Sequence, residues 1–286
     1  MKPGYRLFAA VEDWDNVEKW STRLIEIAQN AKSGNTDENK ARGELVGNLK
    51  KFKVGAQFKK AEEMDAKGDY EGAANMYITM VNENPDNEFA DKSLYNAAVA
   101  YEKVNRFDAA SKIYQRIYDN YPKSEIADRA LFRVGVNYEK GFDFPAAISA
   151  YTQLVERYPN SQHRADSLYN VAVTLENMQQ YAQAAVAFKR YAQTFPDRED
   201  SGEVFFRAAL VYEKMESWPE VVNTLELFSQ KYAKSQKMRE RAVEAYKRIG
   251  DAQLKQGVEK KALTAYEECL KEFRRRGFSE SDRASS

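Results

Sequence analysis

His163 is the single histidine and Cys269 the single cysteine of this 286-residue chain. Those two residue types carry most nucleophilic, proton-shuttling and metal chemistry, so their scarcity is informative. His163 sits in the linker Ser161-Gln162-His163-Arg164, beside a positive charge, which argues against a catalytic dyad or a histidine-ligated metal. One cysteine makes no intramolecular disulfide and no cysteine-based metal site, and it reads as a small core residue of the last helix. No glycine-rich phosphate loop opens a helix, and the segment from Ala31 to Gly34 lacks the G-x-x-x-x-G-K-[ST] spacing. The many carboxylates follow helix-surface spacing. These observations point to a non-enzymatic chain with no cofactor, in which the remaining chemistry is recognition.

Recognition residues fall in rows. Phe58, Tyr95, Phe132, Tyr169 and Phe206 recur at one interval. Four residues after each lie Glu62, Val99, Val136, Val173 and Leu210, and three further lie Asp65, Glu102, Glu139, Glu176 and Glu213. Offsets of four and seven place each trio on one helix face. A neighbouring row alternates Lys59, Asn96, Arg133, Asn170, Arg207. Together they would present an aromatic ladder, an aliphatic row and an acidic rail. Two arrangements satisfy the pattern. In one the rings line a groove and anchor a partner; in the other they pack between neighbouring helices and only the carboxylates reach solvent. The groove arrangement names Tyr95, Asn96, Val99, Glu102, Phe132, Arg133, Val136, Glu139, Tyr169, Asn170, Val173, Glu176, Phe206 and Arg207 as the partner-binding set. Phe132 and Tyr169 would be central anchors, Arg133 and Arg207 polar contacts, and Glu139 and Glu176 selectors of a basic or hydroxylated flank.

The elements that position these rows are short amphipathic helices in pairs. From Ala130 to Pro159, Leu131, Val134, Gly135 and Tyr138 form one apolar stripe at helical spacing. Gly141 to Asp143 breaks that helix, and Pro145 suits the first turn of a second. Ala147, Tyr151 and Leu154 form its stripe, and Pro159 ends the unit. Two such helices cannot bury both stripes alone and need neighbours. The neighbours are there: Pro85, Pro122, Pro159 and Pro196 stand about 37 residues apart. The same step links Met64, Tyr101, Tyr138, Leu175 and Tyr212. It also links Ala73, Ala110, Ala147, Ala184 and Val221, and likewise Tyr77, Tyr114, Tyr151, Phe188 and Leu225. The turn aromatics Tyr70, Phe107, Phe144, Tyr181 and Trp218 keep the same register.

This order of small residue, Tyr, Ala, Phe/Tyr and Pro resembles the tetratricopeptide repeat, whose unit is about 34 residues. The resemblance implies an all-α, right-handed solenoid of helix-turn-helix repeats, with first helices lining a concave face that takes a partner segment. The linkers Tyr121-Pro122-Lys123-Ser124 and Tyr158-Pro159-Asn160-Ser161, with the long first helices after them, are similar to those of bacterial envelope members. These are the repeat lipoprotein of outer-membrane β-barrel assembly, the periplasmic repeat protein of the Tol–Pal system, and repeat proteins of gliding-motility machinery. The resemblance therefore implies a periplasmic setting within a multi-protein assembly, with a cytoplasmic one as the alternative. In chaperone-binding members a clamp holds a peptide carboxylate. Asn96, Arg129 and Arg133 match part of it, but Phe58 and Glu62 stand where its other half would be.

The reading by segment is a truncated repeat at 1–30, an irregular helical linker at 31–54, an array of about six repeats at 55–276, and a disordered tail at 277–286. Trp14, Val17 and Leu24 match second-helix columns, which suggests a start within a longer array. Ser33 to Thr36 reads as a loop, and Glu44 to Lys53 as helix-compatible. The last repeat slips by about one helical turn, to Tyr246, Gly250, Ala262, Tyr266 and Cys269. Basic residues outnumber acidic ones about two to one from Lys231 to Arg276. Over the whole chain, 44 Lys and Arg balance 44 Asp and Glu, which argues against a general nucleic-acid binder. No stretch approaches the ~20 apolar residues of a membrane span. The function implied is a protein-interaction scaffold, with a regulatory module of a larger enzyme as the rival reading. Unpaired terminal repeats would also self-associate weakly.

Overall fold

The computed structural model describes residues 13–31, 34–232, 235 and 237–275. Its regular elements are all α-helical: thirteen helices among the described residues. The chain divides into two compact units, Met1–Asp143 and Phe144–Ser286. The first holds α1 (Trp14–Asn30), α2 (Thr36–Ala66), α3 (Tyr70–Glu83), α4 (Ala90–Lys103), α5 (Phe107–Asn120) and α6 (Ala127–Lys140). The second holds α7 (Phe144–Arg157), α8 (Arg164–Asn177), α9 (Tyr181–Thr194), α10 (Ser201–Lys214), α11 (Trp218–Tyr232), α12 (Arg239–Lys255) and α13 (Glu259–Arg275). Within each unit, consecutive helices pack on one another, giving the all-α solenoid of helical hairpins that the periodicity predicts.

The turn of each hairpin explains why the period holds. One residue there takes a left-handed backbone: Gly68 (φ 85°), Asn105 (58°), Phe142 (60°), Gln179 (60°), Glu216 (54°) and Gly257 (74°). Where both helices of a hairpin lie in one unit, that conformation reverses the chain within two or three residues and the first and second helices meet antiparallel. Ala73, Ala110, Ala147 and Ala184 at the second-helix starts lie fully buried. Tyr114, Tyr151, Phe188 and Leu225 fill the space one turn on, also fully buried. A small residue must face each of these large ones. At Gly250 an added Cβ would lie 2.5 Å from the Tyr266 ring.

The linkers between hairpins are held by their own residues. The Tyr121 hydroxyl donates to the Pro85 carbonyl one linker earlier, at 2.8 Å. Ser124 and Ser161 cap the next turn by accepting from the backbone N–H of Ile126 (3.2 Å) and His163 (3.0 Å). In Tyr121-Pro122-Lys123-Ser124 the tyrosine is thus a stitch to the preceding linker and the serine caps the next turn.

The N-terminal part differs from the expected segmentation. α2 runs unbroken from Thr36 to Ala66 and crosses the boundary expected between 54 and 55. It contains no proline, and a capping box starts it: Asn35 accepts from Glu38 N–H at 2.9 Å while Glu38 accepts from Asn35 N–H at 3.3 Å. Thr36, expected in a loop, is its first residue. α1 packs along α2, with Lys60 bridging Asp15 (2.7 Å) and Glu18 (2.8 Å). The expected first helix at Tyr5–Val11, the tail from Gly277, and Ala233, Lys234 and Gln236 of the lengthened connection lie outside the described residues. Among the described residues, no helix is long and apolar enough to cross a membrane.

Candidate functional site: the first-helix face

α4, α6, α8 and α10 carry the predicted rows, and the structure sorts the fourteen residues into two kinds. Tyr95, Asn96 and Val99 on α4, Phe132, Val136 and Glu139 on α6, and Tyr169, Asn170 and Val173 on α8 are half-buried. They lie at the surface of their own units. The other five are more deeply engaged.

The ladder rings are shared between core and surface. In the first unit Tyr95 packs edge-on against Tyr114 at 5.2 Å and Phe58 against Tyr77 at 5.3 Å, each pair within one hairpin. In the second unit, Tyr169 packs on Phe188 at 6.0 Å and Phe206 on Phe228 at 5.2 Å. Such pairs add about 1 kcal/mol each beyond burial, and they fix ring orientation. Phe206 departs from the groove reading. It is 1 % exposed, with Arg241 over its ring at 5.1 Å and Arg248 at 6.0 Å. Arginines of the following helix α12 cover it, so it is core.

Arg133 and Arg207 were expected to meet a partner, and both are already occupied. Arg133 Nε donates to Glu102 at 3.1 Å, and its second nitrogen pairs with the other carboxylate oxygen. Arg207 Nε donates to Glu176 at 3.0 Å and its Nη1 to the Tyr169 hydroxyl at 2.7 Å, while its guanidinium lies 4.9 Å from the centre of the Phe188 ring. Lys214 reaches Glu176 from the other side at 2.5 Å. The Glu102 and Glu176 side chains are consequently only 7 % and 9 % exposed. The same device recurs as Lys103 on Asp65 (2.7 Å) and Arg248 on Glu213 (2.5 Å). The acidic rail is therefore a set of clamps between successive first helices, and much of it is withdrawn from solvent. Burial would lower the Arg133 pKa, but the hydrogen bond and charge of Glu102 outweigh it and the guanidinium is held more firmly protonated.

The alternating row now has a physical sense. Burial pushes the Tyr77 phenol up to about 12, opposed by a hydrogen bond with Asn96. Asn96 thus serves the neighbouring hairpin. Asn170 has no such side-chain bond among the described residues and offers a free carboxamide beside Val173. The partial carboxylate clamp is closed as well: Arg129 lies over the Tyr95 ring at 4.3 Å and Arg133 is paired with Glu102. Sequence spacing missed the clamps, although Glu102 to Arg133 and Glu176 to Arg207 share one separation that the repeat itself contains.

Among the described residues there is no cluster of three or more metal-ligating side chains. Cys269 is buried, its Sγ 3.4 Å from the Val243 carbonyl and its pKa raised by burial, as suits a packed thiol.

A stack of helical hairpins with a half-buried aliphatic and aromatic face on its first helices defines a helical repeat scaffold. The segments 92–124, 129–161, 166–198 and 244–275 match the tetratricopeptide repeat model, so the chain carries tetratricopeptide repeats there. Repeats of this kind mediate protein–protein interaction. No curated protein matches the chain. Among solved structures, a MamA protein is similar at 15 % identity and TM-score 0.40, over 79 % of this chain and 95 % of that one. YrrB, described as a TPR protein with an unusual peptide-binding site, is similar at 14 % identity and TM-score 0.41, over 70 % and 93 %. MamA from Desulfovibrio magneticus RS-1 is similar at 12 % identity and TM-score 0.39, over 66 % and 97 %.

Proposed function

We propose that this chain is a non-enzymatic scaffold that captures an extended or helical segment of a protein partner on its first-helix face. The observation that carries the reading is the aliphatic row Val99 and Val136 in the first unit, and Val173 and Leu210 in the second. These side chains stay half-exposed while the charges beside them are neutralised by clamps. A face of that kind binds through apolar contact and through hydrogen bonds to peptide backbone, for which Asn170 is available. Phe132 and Tyr169 contribute ring edges. Phe206, Arg133 and Arg207 support the face from beneath. The Tyr-Pro-x-Ser linkers and the long period support a bacterial envelope assembly, on the periplasmic side, as the setting.

The test uses a photo-crosslinking p-benzoylphenylalanine at position 136, with position 149 on the second helix α7 as control, in cells of the native organism. A partner segment crosslinked at 136 and not at 149, in the envelope fraction, is the expected outcome. Equal labelling at both positions removes the first-helix face from recognition. Specific labelling in the soluble cytoplasmic fraction keeps the scaffold and overturns the envelope setting.

A further inference from the structure

The second helices carry a feature that the first-helix face does not explain. Between α7 and α9 lies a groove of about 360 Å³. Its floor is Val155, Leu168, Val171 and Ala187, all buried, and its rim includes Val186 and Arg190 of α9. Val186 is 60 % exposed. At the equivalent position the other repeats carry polar residues: Asn75, Lys112, Ser149 and Asn223. The groove opens because two positions are small here. Val155 and Ala187 stand where α5 has Tyr118 and Ile113. An exposed valine at a position otherwise polar costs solubility and gains nothing in the fold, whose core it does not enter.

The charge around the groove says what would fill it. Arg190 is exposed and makes no ion pair among the described residues, unlike the clamped arginines of the first helices. The α9 sequence YAQAAVAFKRYAQT has two basic residues and no acidic one. A groove of about 360 Å³ has room for one large side chain. We propose that this groove is a second docking site, which takes an acidic protein segment: one large apolar side chain seated on Val155, Leu168 and Val171 beside Val186, and a carboxylate of the same segment paired with Arg190. A desolvated apolar anchor beside an otherwise unpaired arginine is the arrangement that concentrates binding energy in few residues. The rim of the site lies on the second helices, and the α8 residues of its floor, Leu168 and Val171, are not members of the first-helix rows, so the site does not depend on the first-helix reading.

The experiment is a selection from helical-peptide display libraries with acidic, neutral and basic flanks, on the full chain. Binding of each selected peptide is then measured by fluorescence anisotropy on the chain and on three variants of equal helicity. The selected binders should come from the acidic library and carry one large apolar residue. Val186→Asn, the residue of two other repeats, and Arg190→Glu should each weaken them by about tenfold or more, while Arg190→Lys should cost less than about threefold. Binders that ignore both substitutions, an absence of binders, or equal yields from all three libraries would each overturn the proposal. So would displacement of the peptides by oleate at equal affinity, which would assign the groove to a fatty acid.

Discussion

Removing Glu176 should loosen the second unit by a calculable amount. Its side chain, 9 % exposed, accepts from Arg207 and Lys214, whose side chains are 37 % and 51 % exposed. A hydrogen bond to a charged group contributes about 1.5–3 kcal/mol when buried. Both cations here are more than a third exposed, so water repays part of the loss, and about 1 kcal/mol each is the appropriate scale. Glu176→Ala should therefore cost about 2 kcal/mol, between the 0–1 of an exposed pair and the 3–5 of a buried one. Arg207→Asn places in this row the residue that Asn96 and Asn170 already supply. The double-mutant cycle of the two should give a coupling of about 1–1.5 kcal/mol. The exposed pair Arg23–Glu26, at 67 % and 55 %, is the control and should couple by less than about 0.5 kcal/mol. Repeat arrays open locally, so the readout is hydrogen exchange of α8 and α10 amides alongside urea unfolding. A coupling within about 0.3 kcal/mol of zero would refute the clamp account and return Arg207 to the pool of partner-binding groups.

Four further changes test the account elsewhere. Asn137 is 1 % exposed and both its amide atoms lack a hydrogen-bond partner, while the equivalent position of α4 is Ala100; Asn137→Ala should stabilise by about 1 kcal/mol in urea unfolding. Phe142 holds φ 60° at 80 % exposure where other turns use Gly68 and Gly257, so Phe142→Gly should also stabilise, by about 1 kcal/mol, with unchanged circular dichroism. Gly250→Val cannot fit against Tyr266 and should cost about 2–3 kcal/mol, read as a lowered Tm and faster exchange in α12 and α13. Burial raises the Glu244 pKa, but hydrogen bonds from Arg241 and Arg248 outweigh it and hold the carboxyl below its ordinary value of 4.5. A depressed carboxylate stabilises above its unfolded pKa and loses that contribution as pH falls through the folded value. Glu244→Gln should thus be about 1 kcal/mol less stable at pH 7, and the difference should vanish in acid; a difference independent of pH would contradict the ion-pair assignment.

The fold was legible because a period leaves little freedom. Once Ala73, Ala110, Ala147 and Ala184 fall in step with Tyr77, Tyr114, Tyr151 and Phe188, each helix is assigned and its core face fixed. The course of α2 was harder to read, because no proline or left-handed residue marks where the helical linker ends and the first repeat begins. The site was legible only in part, for a reason of geometry. Periodicity within one helix tells which residues share a face, but not which side chains of the next helix reach across it. Glu102 and Arg133 read as separate rows until the packing of α4 on its neighbours brings them together. Phe206 is covered by Arg241 and Arg248 from the repeat whose step slips, so the pattern that identified the ladder could not foresee its cover.

The clamps also decide what kind of selectivity each face can have. On the first helices, Arg133 and Arg207 neutralise Glu102 and Glu176 of the preceding repeats, and asparagine alternates with them at Asn96 and Asn170. The charges cancel inside the array, and the surface left over is valine, ring edge and carboxamide. Such a surface discriminates by shape and by backbone hydrogen bonds, and salt should affect its affinity little. On α9 the cation at Arg190 makes no ion pair among the described residues, so binding there should weaken as ionic strength rises. One chain can then hold two segments at once and tell them apart by different physics: one through apolar fit along the first helices, the other through a single anchor and its carboxylate.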